Sequence, residues 1–372
     1  MVVIALSGLP GTGSSTAGKL LAKKLKLKYF SVGAWNKSHA KKFSGKEVKG
    51  ETDKSVVVWR TKKGASSKFH FASDDISRKK AKQGNIVIDG KLAIWALKDI
   101  SDFSVWIKAP LSIRAKRIAG RDGITVEKAK KLVKEKEKLE RKNWRRIYGF
   151  DYFVQEKEAD LVINTAKKKP EEIVDLIISR LRRIFIVHRW ESRPKNDWYP
   201  YAKKELERRG YSVNVLRMPS PDRPIMKKWV SYLSKNIGKP NEYTYLIGHS
   251  AGVITILRYL EQLPENAKIG GCILVAGWID DLGYKELSNF FSKPIRWKKI
   301  RQHCKKFVAI HSDNDPFVKI YHGEAFRKHL KAKLIIEHSK GHFTDEDEIR
   351  KLPSVVKSMM NLNSMNMKIK IN

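Results

Sequence analysis

Ser250 stands in Gly248-His249-Ser250-Ala251-Gly252, between an apolar run that reads as a strand (243–247) and a helical pattern (252–262). Glycines on both sides of a serine permit a tight, strained strand-to-helix turn that lifts the hydroxyl clear of the backbone. A serine hydroxyl is a weak nucleophile near neutrality unless a base takes its proton, and the base needs a carboxylate to orient it. Both follow later in the chain, acid before histidine. Asp315 comes after a strand-like run, in His311-Ser312-Asp313-Asn314-Asp315-Pro316, and His342 after the next, in Lys340-Gly341-His342-Phe343. Asp313 is a rival acid, placed earlier in the same turn. His249 and His311 read as packed or hydrogen-bonded histidines. The chemistry implied is acyl transfer through Ser250, with the N–H of Ala251 facing the oxyanion.

A second set lies near the start of the chain, in Gly8-Leu9-Pro10-Gly11-Thr12-Gly13-Ser14-Ser15-Thr16. Backbone N–H groups of such a loop, with the N-terminus of the helix that follows, cradle phosphate. The spacing is that of a Walker loop except that Ser14 replaces the lysine that would reach the β- and γ-phosphates. Ser15 stands where a Mg²⁺-binding hydroxyl belongs.

Two alternations of strands and helices position these sets. Strand-like runs at 2–7, 86–88, 105–107 and 161–163 are separated by helical stretches, among them Ala17–Leu27 and a highly charged one from Val126 to Arg146 that reads as a solvated face or a lid arm. Residues 171–183 read as an amphipathic helix. A new alternation then begins: strand 184–187, helix 198–209, strand 212–216, helix 225–236, strand 243–247, helix 252–262, strands 272–275 and 307–310, helix 321–330, strand 333–336. At 372 residues the chain exceeds the ordinary size of one core. The expectation is two tandem α/β domains, 1–182 and 183–360, with 361–372 as a frayed tail.

The second half resembles the small α/β-hydrolases that include the retinoblastoma-binding serine hydrolases. The resemblance rests on Ile184–Val213, on MPSPDRP with Trp229, and on LIGHSAG, LVAGW, HSDNDPFV and KGHF. It implies a compact core with little lid, no cofactor, and an ester, amide or peptide substrate. It also implies a second oxyanion N–H from the loop after the first strand, assigned to Trp190. That loop usually carries His-Gly, and here reads His188-Arg189-Trp190. Arg189 cannot readily take a conformation suited to glycine, so either the loop is rearranged or the activity weakened.

The first half resembles archaeal-type cytidylate kinases, which implies a P-loop nucleoside-monophosphate-kinase fold, ATP and Mg²⁺ as cofactors, and CMP or dCMP as acceptor. The matching stretches are the glycine-rich loop, Tyr29–Gly33, Gly84–Ala93, Trp106–Pro110, the run of Arg114, Arg117 and Arg121, then Glu140-Arg141, Tyr148–Asp151 and Asp160–Thr165. The resemblance assigns Gly8, Gly11, Thr12, Gly13, Ser14, Ser15 and Thr16 to the nucleotide, and Ser31, Gly33, Lys37 and Lys91 to the monophosphate. Arg117 and Arg121 fall on a lid helix and Arg141 and Arg145 on the returning arm, where they could clamp phosphates. Lys37 and Lys91 stand where the pattern carries arginines, and the lysine-rich stretch 41–75 fits it poorly. A second reading therefore makes this half a nucleotide-binding module that regulates the hydrolase.

The chain has 77 basic and 39 acidic residues, a formal charge of +38. Residues 1–182 hold 42 basic and 20 acidic residues, so the excess is spread over both halves. Such a field attracts nucleotides and other polyanions, but no nucleic-acid recognition motif accompanies it, so nucleic acid is a minor expectation. Only Cys272 and Cys304 are present, too few for a disulfide framework or a cysteine zinc site. No apolar run reaches the ~20 residues of a membrane span. MVVIALSG lacks the basic start and cleavage site of a signal peptide, so a cytoplasmic location is expected.

Overall fold

The computed structural model describes residues 2–45 and 47–368. The chain divides into two compact units, Met1–Ile178 and Ser179–Asn372, and the helix Pro170–Leu181 runs through the division.

The first unit is a parallel sheet of β1 (Val3–Gly8), β2 (Lys28–Ser31), β3 (Ile86–Asp89), β4 (Phe103–Lys108) and β5 (Leu161–Asn164), ordered β2-β3-β1-β4-β5. Strand β1 (VIALSG) is buried along its whole length, as near-continuous apolar strands are when helices cover both faces. It pairs with β3 on one side and β4 on the other, so the glycine-rich loop leaves the sheet beside Asp89. The stretch 41–75 contributes the helices Ala40–Ser44 and Glu51–Arg60 and the start of Ser67–Lys82. Trp59 and His70 stack there, centroids 4.3 Å apart, with Trp144 packed edge-on to Trp59.

The charged stretch forms one helix, Val126–Tyr148, capped by the Thr125 hydroxyl and ended by Gly149 at φ 77°. It is not merely a solvated face. Ala129, Val133, Glu140 and Trp144, at spacings that share a helical stripe, are buried.

The second unit is a parallel sheet of β6 (Arg183–Val187), β7 (Ser212–Leu216), β8 (Thr244–His249), β9 (Gly271–Val275), β10 (Phe307–Ser312) and β11 (Lys333–Glu337), ordered β11-β10-β9-β8-β6-β7. The strand order reverses between β6 and β8, and open α/β sheets bind ligands beyond the strand ends at such a point. Ser250 follows β8, and the His188–Trp190 loop follows β6. The helix Ala251–Leu260 is buried on every side, and Gly252 makes that possible. A Cβ there would lie 2.1 Å from the Val187 carbonyl oxygen.

The helix Pro353–Lys368 carries the chain past 361, and Met359 and Leu362 lie in the core. Residues 369–372 lie outside the described residues. Among the described residues no helix is long and apolar enough to cross a membrane.

Candidate active sites

In the second unit the elbow serine takes the strained backbone its motif implies, φ 52° and ψ −115°. Its N–H is held by the Val275 carbonyl at 2.9 Å. Strain of this kind, about 1–3 kcal/mol, persists only where the surroundings impose it. Asp315 and His342 arrive from the ends of β10 and β11. His342 Nδ1 lies 2.8 Å from Asp315 Oδ2, and His342 Nε2 lies 3.0 Å from Ser250 Oγ. An ionised carboxylate only accepts, so the imidazole proton sits on Nδ1 and Nε2 is left to receive the serine proton. Asp315 Oδ1 accepts the N–H groups of Phe317 and Val318, both at 2.9 Å. Burial pushes Asp315 up, but His342 and these two N–H groups outweigh it and hold the carboxyl below its usual range.

Asp313 turns outward, where its carboxylate takes His338 Nδ1 at 2.6 Å and the Ser339 N–H at 2.8 Å. His249 is buried beneath the nucleophile and held well below its ordinary pKa, first by burial and then by His342. His311 is buried, neither ring nitrogen finds a hydrogen-bond partner among the described residues, and burial lowers it to about 4.

The loop that follows β6 makes its turn away from Arg189. Arg189 does not take a left-handed conformation; that turn falls two residues later, at Glu191 with φ 57°. The Arg189 guanidinium pairs with buried Asp197 at 3.1 Å, and the backbone N–H of Arg189 donates to Tyr199 Oη at 3.1 Å. The Glu191 N–H is taken by the Pro221 carbonyl. Between them, the backbone N–H of Trp190 has no acceptor among the described residues. Ala251 opens its helix, where an N–H has no intrahelical acceptor.

Sequence reasoning passed over two further groups. Trp278, within the LVAGW stretch, donates from Nε1 to Ser250 Oγ at 3.2 Å. Asp347 accepts the His342 N–H at 2.8 Å and fixes the histidine turn. Asp347 carries no local motif, and LVAGW marks Trp278 without assigning it a role, so the fold is what brings both to the site.

In the first unit a cavity opens over the glycine-rich loop. Its walls include Gly8, Gly11, Ser14, Ser15, Ser31, Gly33, Lys37, Lys91 and Arg121. Gly13 caps the helix Ser14–Leu25 at φ 94°, a conformation that suits glycine, and no side chain caps that helix. Its first N–H groups are therefore available to an anion. Ser15 Oγ donates to Asp89 Oδ2 at 2.6 Å. Lys91 Nζ reaches the Gly8 carbonyl at 2.7 Å, and burial lowers its pKa to about 7. Lys37 donates to Glu51 at 2.5 Å. Further charged residues line the cavity beyond those assigned to it from the sequence. Lys136 and Glu140 sit on the charged helix and face inward, a direction its composition does not disclose.

The remaining residues expected here lie elsewhere. Thr12 is buried, with its carbonyl bound by Arg117 Nη1 at 3.1 Å and Thr165 Oγ1 at 2.9 Å. Arg117 thus braces the back of the loop and does not line the cavity. Arg141 and Arg145 both pair with Asp151, which draws them away from the cavity wall. Thr16 is exposed on the loop's helix, outside the lining. Of the four lid arginines, only Arg121 lines the cavity.

Residues 3–167 match the cytidylate kinase-like family and residues 184–361 the serine hydrolase family. The cytidylate kinase of Ignicoccus hospitalis is 34% identical over 177 residues, covering 48% of this chain and 97% of that protein. The cytidylate kinase of Sulfolobus acidocaldarius is 32% identical over 183 residues, covering 48% and 94%. The serine hydrolase RBBP9 of Rattus norvegicus is 32% identical over 166 residues, covering 44% and 86%. One polypeptide therefore belongs to two families, the cytidylate kinase-like family through its first half and the serine hydrolase family through its second.

Proposed function

We propose that the second unit hydrolyses an ester, amide or peptide through an acyl-Ser250 intermediate, and that the first unit transfers a phosphoryl group from ATP to CMP or dCMP. The observation that carries the hydrolase reading is the unbroken line Asp315–His342–Ser250, at 2.8 and 3.0 Å. As Ser250 Oγ attacks the carbonyl, His342 Nε2 takes its proton and Asp315 stabilises the imidazolium. The N–H groups of Ala251 and Trp190 are the donors for the oxyanion. His342 then gives the proton to the leaving group, and water repeats the sequence to release the acid.

The kinase reading is supported by the convergence of four basic side chains, Lys37, Lys91, Arg121 and Lys136, on a cavity floored by the loop. Phosphoryl transfer requires positioning and charge more than covalent chemistry. Lys91 brings a cation to the loop that lacks the Walker lysine. The hydroxyl of Ser15 and carboxylate of Asp89, 2.6 Å apart, fit a hard cation and would hold Mg²⁺, which neutralises phosphate charge when bound.

The test is a panel of nucleoside monophosphates with ATP, run on wild type and Ser250→Ala beside fluorophosphonate labelling. The expected result is product from CMP or dCMP in both proteins, well above UMP and AMP, and labelling in wild type alone. Absence of phosphorylated product sinks the kinase reading. Labelling that survives Ser250→Ala sinks the hydrolase one.

A further inference from the structure

Among the non-glycine residues with left-handed backbone around the hydrolase site are Ser250 at φ 52°, Ala276 at φ 44° and Phe343 at φ 59°. The first is the nucleophile and the third follows His342. Ala276 belongs to neither, yet its turn is as firmly imposed, with its N–H held by the Ile310 carbonyl at 2.9 Å. Gly277 comes next, and a Cβ there would lie 2.5 Å from Val253 Cγ1. The strained alanine and the closely packed glycine deliver Trp278. Its ring is 1% exposed and packs against Phe291 with centroids 5.3 Å apart. Its Nε1 stands 3.2 Å from Ser250 Oγ.

We propose that Trp278 is a fourth catalytic residue, whose indole N–H holds Ser250 Oγ through both halves of the acyl-transfer cycle. This rests on the hydrolase reading above. An indole N–H only donates, so the direction of the bond is unambiguous. The serine oxygen has one proton and two lone pairs. With the proton aimed at His342 Nε2 and one lone pair accepting from Trp278, the other lone pair is left to meet the carbonyl carbon.

In acylation the Oγ–C bond forms, the serine proton passes to His342 and then to the leaving group, and the bond from the carbonyl carbon to that group breaks. In deacylation water gives its proton to His342 and bonds to the carbon. The C–Oγ bond breaks, and its electron pair falls on Oγ, which recovers the proton from His342. Trp278 keeps its own proton throughout. Its donor serves most when Oγ departs with negative charge, so its loss slows deacylation more than acylation.

The test replaces residue 278 with β-(3-benzothienyl)alanine by codon suppression, which keeps the ring's shape and exchanges N–H for sulfur. Trp278→Phe is a second variant. Turnover of p-nitrophenyl acetate falls about tenfold or more, the size of a lost hydrogen bond to a charged group. The p-nitrophenol burst persists, and acetyl-Ser250 accumulates in the intact mass spectrum. Turnover of the benzothienyl protein within twofold of wild type overturns the inference, whatever Trp278→Phe does, and leaves Trp278 a packing role. If fluorophosphonate fails to label wild type at Ser250, the hydrolase reading falls first and this inference with it. Normal labelling with an indifferent benzothienyl protein removes the Trp278 assignment alone.

Discussion

Tyr199 Oη lies 2.7 Å from Nδ1 of His249. The other bonds of this pair assign the protons. His249 Nε2 lies 2.8 Å from the His342 carbonyl oxygen and must donate to it, so Nδ1 accepts the tyrosine proton. Tyr199 Oη in turn accepts the Arg189 N–H. A buried chain of three hydrogen bonds therefore joins the loop after β6 to the loop that carries His342, passing directly beneath the nucleophile.

Tyr199→Phe breaks this chain and leaves two polar groups, His249 Nδ1 and the Arg189 N–H, without partners. Each such loss costs about 1–3 kcal/mol. Urea denaturation is expected to show a destabilisation of about 2 kcal/mol or more. Fluorophosphonate labelling of Ser250 slows in the folded variant, because both the oxyanion loop and His342 lose a tether. A fold of unchanged stability contradicts the chain.

Asp315→Asn tests the proton assignment on His342. An amide in place of the carboxylate can present N–H to Nδ1 and favour the tautomer with its proton on Nε2, facing the serine. Turnover is expected to drop by about four orders of magnitude, with little change in fold. Asp313→Asn, in the outward-facing rival, leaves turnover near wild type. Esterase assays on the two variants separate the acids.

Gly252→Ala places a methyl 2.1 Å from the Val187 carbonyl oxygen, which belongs to a central strand and has little room to shift. Overpacking of this kind costs about 1–3 kcal/mol, and here it also displaces the helix that bears the Ala251 N–H. Thermal unfolding and probe labelling are expected to fall together. Gly238→Ala, at a site with open space around it but left-handed backbone, serves as the control for backbone strain alone.

Lys91 gives the first unit a pH signature. Burial lowers it to about 7, so in the free protein it is charged below that pH and neutral above it. A polyphosphate brought to the loop favours the charged form and draws a proton onto the amine. ATP binding at pH 8 is therefore expected to take up protons, and at pH 6 to take up almost none. Calorimetry in two buffers of different ionisation enthalpy measures this. Lys91→Arg, always charged, abolishes the uptake at pH 8. Equal uptake in wild type and Lys91→Arg assigns the proton to another group.

The family of each half, the parallel α/β class and the two loop motifs are legible in the sequence because each depends on a few consecutive residues. A glycine-rich turn between a strand and a helix carries its own backbone geometry, whether as Gly8–Thr16 or as Gly248–Gly252. The burial of β1 and β8 likewise shows as largely apolar runs. Tertiary structure decided which side chains enter the sites. Lys136 and Glu140 look like any charges on a solvated helix until the packing of that helix turns them toward the cavity. Arg117, Arg141 and Arg145 carry the expected spacing, yet Thr12, Thr165 and Asp151 claim them. Arg189 looked like an obstacle to the turn after β6, yet Glu191 takes the left-handed backbone there while Asp197 and Tyr199 hold the arginine. Trp278 reaches Ser250 only because β8 and β9 are neighbours and the chain bends sharply at Ala276. Hydrogen-bond partners far apart in sequence are set by strand order and helix packing, which no local run of residues specifies.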